Sequence, residues 1–177
     1  MKRRIFISIA IWWLASGLAG PARAGSADQE QPSNHESRSL AIIVNTANPI
    51  DNLSMTELRK VFLGERSHWP NGRRITLVMM DQGEPERTTL IREVCQMSES
   101  DFNKHFLHGL FTGEVFVSPK TLSSSMGVRK VIFNVPGAIG YVRLSDVDST
   151  VKVLRVDGLR PEDKDYALRI PQNLDNR

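Results

Sequence analysis

The sequence predicts an α/β fold, a sheet with helices packed against it, from three observations. The continuous apolar run Leu40-Ala41-Ile42-Ile43-Val44 has the make-up of a strand covered on both faces, and residues 75–80, apolar but for Thr76, read as a second buried strand. Several stretches outside these runs repeat apolar residues at helical spacing. In NVPGAIGYVRL, residues 134–144, a Pro-Gly turn leads straight into a further short apolar strand. Strands that alternate with helices bury both kinds of surface by stacking as layers.

The chain opens MKRRIFISIAIWWLASGLAGPARAG, with a basic start at Lys2, Arg3 and Arg4, an apolar run, and Ala22 and Ala24 flanking Arg23. This pattern predicts a secretory signal over residues 1–24, and so a periplasmic or secreted protein. No cysteine closes the signal, which speaks against a lipid anchor and against any membrane attachment after cleavage. The predicted signal takes four of the 23 Lys and Arg and none of the 20 Asp and Glu, so 19 basic residues face 20 acidic ones in the remainder. The formal charge of +3 therefore belongs to the signal, and a near-neutral mature chain excludes nucleic acid as an expected partner. Residues 25–38, GSADQEQPSNHESR, hold no large apolar side chain to offset the entropy of ordering, and read as a flexible leader.

The elements follow in order, within a domain expected over residues 39–158. After the first strand, Ser54 and Glu57 form a capping box for a helix carried by Met55, Leu58, Val61 and Phe62, with Gly64 as its stop. Trp69-Pro70-Asn71-Gly72 is a tight turn before the second strand. Leu90, Ile91, Val94 and Cys95 form the stripe of a second helix. Ser98 and Asp101 start a third, striped by Phe102, Phe106, Leu107, Leu110 and Phe111 and ending near Gly113. A fourth starts in Ser123-Ser124-Ser125, shows Val128, Val131 and Ile132 on one face, and stops at Pro136. Within the next strand Gly140 permits close backbone approach. Residues 151–156 alternate and predict an edge or half-exposed strand. Residues 159–177 are charged and bounded by prolines, and predict a loosely held tail with at most a short helix around 163–169.

Chemistry-bearing residues are few. His105 and His108 share a helix face but lack a third ligand at a diagnostic interval, so no metal is expected. His68 beside Trp69 reads as a surface pair. Cys95, the only cysteine, lies on an apolar stripe, reads as a small buried hydrophobe, and leaves the chain without an internal disulfide. There is no nucleophile elbow, no phosphate-cradling Walker loop and no cofactor motif, so a non-enzyme is expected, without cofactors. Asp81, Gly83, Arg87 and Thr88 read either as a ligand-facing loop at the end of a strand or as a shaped βα turn. The three serines from Ser123 read either as an anion site or as a helix cap.

Four stretches resemble one family: VFLGERSHWPNG (61–72), ITLVMMDQGEPERTTL (75–90), LFTG (110–113) with Pro119 after it, and SSSMGVRKVIFNVPGAIGYV (123–142). Together they are similar to the periplasmic phosphate-binding protein of the phosphate ABC transporter, and to its short single-lobe relatives. The resemblance implies one lobe of a type 2 periplasmic binding protein, a mixed sheet flanked by about four helices. It implies phosphate or a related oxyanion as ligand and an ABC permease or other envelope protein as partner. A second copy of the chain, as a homodimer, or a partner protein would supply the facing wall. The ligand contacts implied are Gly83, Arg87 and Thr88 after the second strand, and Ser124, Ser125 and Gly127 at the start of the fourth helix. In the family the turn after that strand carries an arginine and a Ser-Gly-Thr step, whereas here Glu84, Pro85 and Glu86 occupy it. Each carboxylate within about 5 Å of bound phosphate is expected to cost roughly 1–3 kcal/mol. The alternative expectation is an accessory protein-interaction module of the envelope that has lost anion binding.

Overall fold

The computed structural model describes residues 38–175, and the predicted signal and leader up to residue 37 lie outside them. Five strands form a mixed sheet in the order β4-β3-β5-β1-β6. They are β1 (Leu40–Asn45), β3 (Thr76–Met80), β4 (Lys120–Leu122), β5 (Ala138–Arg143) and β6 (Val151–Val153). Strand β3 runs parallel to β4 and β5, while β1 is antiparallel to both β5 and β6. Short β2 (Asn52–Leu53) and β7 (Arg155–Val156) pair in parallel as a separate ribbon.

Strand β1 is buried along its whole length, because sheet neighbours flank it on both sides and its faces lie in the core. The continuous apolar run 40–44 is the sequence expression of that position. Strand β6 is the edge that the alternating 151–156 run predicts, although Leu154 interrupts it and passes residues 155–156 to the second ribbon. Strand β4 was not visible in the sequence, since Lys120 and Thr121 are exposed and only Leu122 is half-buried.

The helices are α1 (Met55–Phe62), α2 (Pro85–Leu90), α3 (Glu99–Thr112), α4 (Ser125–Asn134) and a short α5 (Gln172–Asp175). The capping box at Ser54 and Glu57 is present, and the Cα of Gly64 turns left-handed at φ 72° just past α1. A Cβ on Gly64 would stand 2.6 Å from the Val117 carbonyl oxygen, so two requirements select glycine there. Helix α2 passes into one π-helical turn, Ile91–Cys95, which keeps Ile91, Val94 and Cys95 buried. Burial pushes the Cys95 thiol up to about 12, leaving it un-ionised at neutral pH.

The Pro-Gly turn and the tryptophan turn meet in space. Trp69 is buried, not at the surface as expected, and its indole Nε1 donates to the Gly137 carbonyl at 2.9 Å. The same carbonyl accepts from the Thr76 N–H, which sets the start of β3 against β5. Three residues on, Gly140 lets α4 settle onto the sheet. A Cβ there would stand 2.9 Å from the Val78 carbonyl oxygen and 3.2 Å from Val128 Cγ1.

Two expectations are corrected. The third-helix stripe is only partly a core stripe, since α3 buries Phe102 and Phe106 while Leu107, Leu110 and Phe111 face outward. The C-terminal segment is not loosely held, and residues 163–169 form turns, not a helix. Tyr166, Leu168 and Ile170 alternate into the core, and the segment runs beside β1 through Leu40 N–H to Leu168 O and Ile170 N–H to Arg38 O. The Tyr166 hydroxyl also donates to the Leu40 carbonyl. The charged run 162–165 hides this alternation in the sequence, and the packed body extends to Ile170.

Candidate functional site

Parallel strands β3 and β4 end side by side, which places the loops that follow them on one edge of the sheet. The Asp81 N–H donates to the Leu122 carbonyl and ties those two ends together. The chain after β3 then turns at Gly83, whose φ of 94° favours a residue without a Cβ, and enters α2 through Pro85. A cleft of about 470 Å³ opens here, lined by Asp81, Gln82, Arg87, Asn103 and Thr121. Gln82 and Asn103 bring amides, Thr121 a hydroxyl and Asp81 a carboxylate.

Arg87 reaches this cleft with its charge already compensated. It is only 4% exposed, its Nε and Nη2 donate to the Glu99 carboxylate at 2.8–3.2 Å, and its Nη1 donates to the Met80 carbonyl at 3.0 Å. The guanidinium also lies 5.5 Å from the Phe102 ring centroid. These contacts use three of its five N–H groups and fix its plane. Its neighbour Glu86, 6% exposed, pairs with Arg143 at the end of β5. Glu86 is therefore held against a cation, so of the two carboxylates behind the expected penalty only the half-buried Glu84 remains, while Asp81 adds a carboxylate to the cleft lining itself.

The remaining predicted contacts divide. Gly83 shapes the loop at the cleft. Thr88 lies elsewhere, lining a separate cleft with Ile91, Arg92, Met97, Ser98 and Glu99, and its hydroxyl donates back to the Glu84 carbonyl. Ser124, Ser125 and Gly127 start α4, immediately after the β4 strand that carries Thr121. The Ser124 hydroxyl accepts from the Gly127 N–H at 3.2 Å, so both of those groups serve the helix cap. Gln82, Asn103 and Thr121 escaped the sequence reading. Asn103 lies among the polar positions of α3, and Thr121 sits on the strand that the sequence did not show.

The histidines stay apart in role: His105 Nε2 donates to the Leu63 carbonyl, while His108 lies 3.9 Å from Glu114. A further cleft of about 340 Å³ at the opposite edge of the sheet is lined by Asp51, Lys152, Arg155, Arg160 and Glu162 among others. There Lys152 is bound by Asp51 and the Asn48 carbonyl. It lies away from the loop that carries the sequence resemblance.

No family model matches the chain. It is 32% identical over 133 residues to the phosphate-binding protein PstS of Bacillus subtilis (strain 168), a match that covers 72% of this chain and 39% of that protein. Among solved structures it is similar to a phosphate ABC transporter substrate-binding protein from Clostridium perfringens, solved with bound phosphate, at TM-score 0.58 and 20% identity. It is also similar to PstS from Borrelia burgdorferi at TM-score 0.55 and 15% identity, and to an ABC-type phosphate transport receptor from Vibrio cholerae at 0.53 and 21%. Each of these covers 70% of the chain and 47–49% of the solved protein, so the chain spans about half of their length or less. With one mixed sheet and helices matched to part of those folds, the chain is a short, single-lobe relative of the phosphate-binding proteins of phosphate ABC transporters.

Proposed function

We propose that the chain is an exported, non-catalytic binding protein whose cleft at the ends of β3 and β4 takes phosphate or a closely related oxyanion, in service of ABC-type uptake through a permease. The observation that carries this reading is the 32% identity over 133 residues to a phosphate-binding protein, in a chain whose loop after β3 opens a polar cleft. Gln82, Asn103 and Thr121 supply neutral donors, and Arg87 supplies a guanidinium edge oriented by Glu99. Because Glu99 offsets the Arg87 charge, capture rests on hydrogen bonds more than on net charge, and a single open lobe leaves it weak.

Asp81 gives the cleft a preference. A carboxylate accepts a hydrogen bond from an oxyanion that still carries an O–H, as phosphate does near neutral pH, and repels one that carries none, such as sulfate. A thermal-shift panel on the full chain tests both points. A ligand at 100 times its dissociation constant adds about 2.7 kcal/mol of apparent stability. Phosphate is expected to stabilise the chain and sulfate to do so far less, with Asp81→Asn narrowing the gap. No response to phosphate at any attainable concentration would remove the oxyanion reading.

A further inference from the structure

The stretch 134–144 carries a tyrosine that neither its turn nor its close helix contact requires. Strands β3 and β5 pair only at Thr76 with Ala138 and at Leu77 with Ile139, although β3 continues to Met80 and β5 to Arg143. Successive residues of a strand face opposite sides of the sheet. Gly140 faces α4, so Tyr141 faces α1, where its ring centroid lies 5.9 Å from that of Phe62. The side chain is fully buried. Its hydroxyl reaches across the part of the sheet where the two strands have ceased to pair, and accepts the Met80 N–H at 3.1 Å.

Met80 is the last residue of β3, and the lining of the cleft begins with the next one. The Asp81 N–H donates to Leu122 at the end of β4, so the N–H and carbonyl of Met80 turn to the other side, toward β5. With the β5 ladder ended, both of these groups are satisfied by side chains. Tyr141 takes the N–H, and Arg87 Nη1 donates to the carbonyl at 3.0 Å. One pair of backbone dihedrals joins the two peptide units, so a turn of the first swings the carbonyl that meets Arg87. A phenylalanine would fill the same space, but only the hydroxyl can hold the N–H.

We propose that Tyr141 is a positioning residue for the cleft: by holding the Met80 N–H where β5 parts from β3, it sets the carbonyl that orients Arg87. Its hold on Arg87 stands on these contacts alone, and the consequence for a bound oxyanion rests on the proposed function of the cleft.

Tyr141→Phe removes one oxygen atom and keeps the ring against Phe62, and two measurements on the full chain test it. Without added anion, proton exchange followed by NMR should quicken about tenfold or more at the Met80 N–H and at Arg87 Nε, relative to the amide of the buried Ile132 in α4. Phosphate affinity, read by thermal shift, should fall about tenfold. In an Arg87→Met background the same change should cost no further affinity, because Tyr141 acts through Arg87. Val151→Ala, in β6 at the far edge of the sheet, is the control. Loss of stability alone should leave both the relative Arg87 exchange and the phosphate affinity as they are. Relative Arg87 exchange that stays at the parental value in Tyr141→Phe overturns the proposal, as does an undiminished affinity when the parent binds phosphate. If the parent shows no phosphate response the oxyanion reading falls, and the exchange result alone decides the role of Tyr141.

Discussion

The seam between β5 and α4 and the loop between β3 and α2 are both parts of the family resemblance, yet they are held by different physics. At the seam the determinants are steric and short in sequence: Pro136-Gly137 turns the chain, and Gly140 removes a side chain where α4 and the Val78 carbonyl close in. At the loop the determinants are electrostatic and distant in sequence. Adjacent Glu86 and Arg87 reach in different directions, one to Arg143 at the end of β5 and the other to Glu99 at the start of α3. The seam fixes where the sheet lies, and the loop fixes what the cleft can offer. A scaffold defined by sterics admits few substitutions, whereas a loop tied by ion pairs can exchange its polar groups and still close.

The largest effect expected from this contrast is at the seam. A Cβ on Gly137 would stand 2.0 Å from the Arg74 carbonyl oxygen, a backbone atom that can move only with the chain. Gly137→Ala is expected to cost about 3 kcal/mol or more in chemical denaturation, because the carbonyl that receives Trp69 and Thr76 must shift as well. A loss under about 1 kcal/mol would show that the seam yields and would erase the distinction.

Arg87→Met sharpens the other side of the comparison. Breaking a buried pair costs about 3–5 kcal/mol, but the Glu99 side chain is 29% exposed and can rehydrate, so about 2 kcal/mol is expected. Combined with Glu99→Gln in a double-mutant cycle, the coupling should be about 1 kcal/mol or more. Additive losses would mean that Arg87 is held by Met80 and Phe102 and that the ion pair contributes little.

The smallest effect is a pH dependence outside both regions, at the start of α1. The Ser54 backbone N–H, with its hydroxyl, donates to the Glu57 carboxylate and holds its pKa below the ordinary value of 4.5. A depressed carboxylate contributes stability that is present above the unfolded-state value and is lost as pH falls through the folded-state one. Stability should therefore decline as pH drops below about 4.5, and Ser54→Ala should reduce that decline while removing about 1 kcal/mol of capping at neutral pH. An unchanged acid limb in the variant would place the acid sensitivity elsewhere, for example at Asp51 beside Lys152.

How much of the molecule was legible follows the same divide. The capping box at Ser54, the stops at Gly64 and Gly113 and the strands at 40–44 and 75–80 are local patterns, and each is in place. The cleft was legible only in part. Gly83 announces its turn, but nothing near Arg87 in the chain announces Glu99, and Thr121 belongs to a strand too short and too polar to show a period. Trp69 and Gly137 lie 68 residues apart, so their hydrogen bond could not be read even though each belongs to a quoted motif.

Sequence by itself determined the alternation of strands and helices, the caps and turns that punctuate it, and the positions where glycine is required, because these depend on neighbours within a few residues. Tertiary structure alone decided that the C-terminal segment packs against β1, that half of the α3 stripe faces outward, and that Glu86 and Arg87 are turned away from one another into separate ion pairs. Those outcomes depend on which surfaces meet across the fold, and side-chain charge and hydropathy state a need for a partner without saying where it is found.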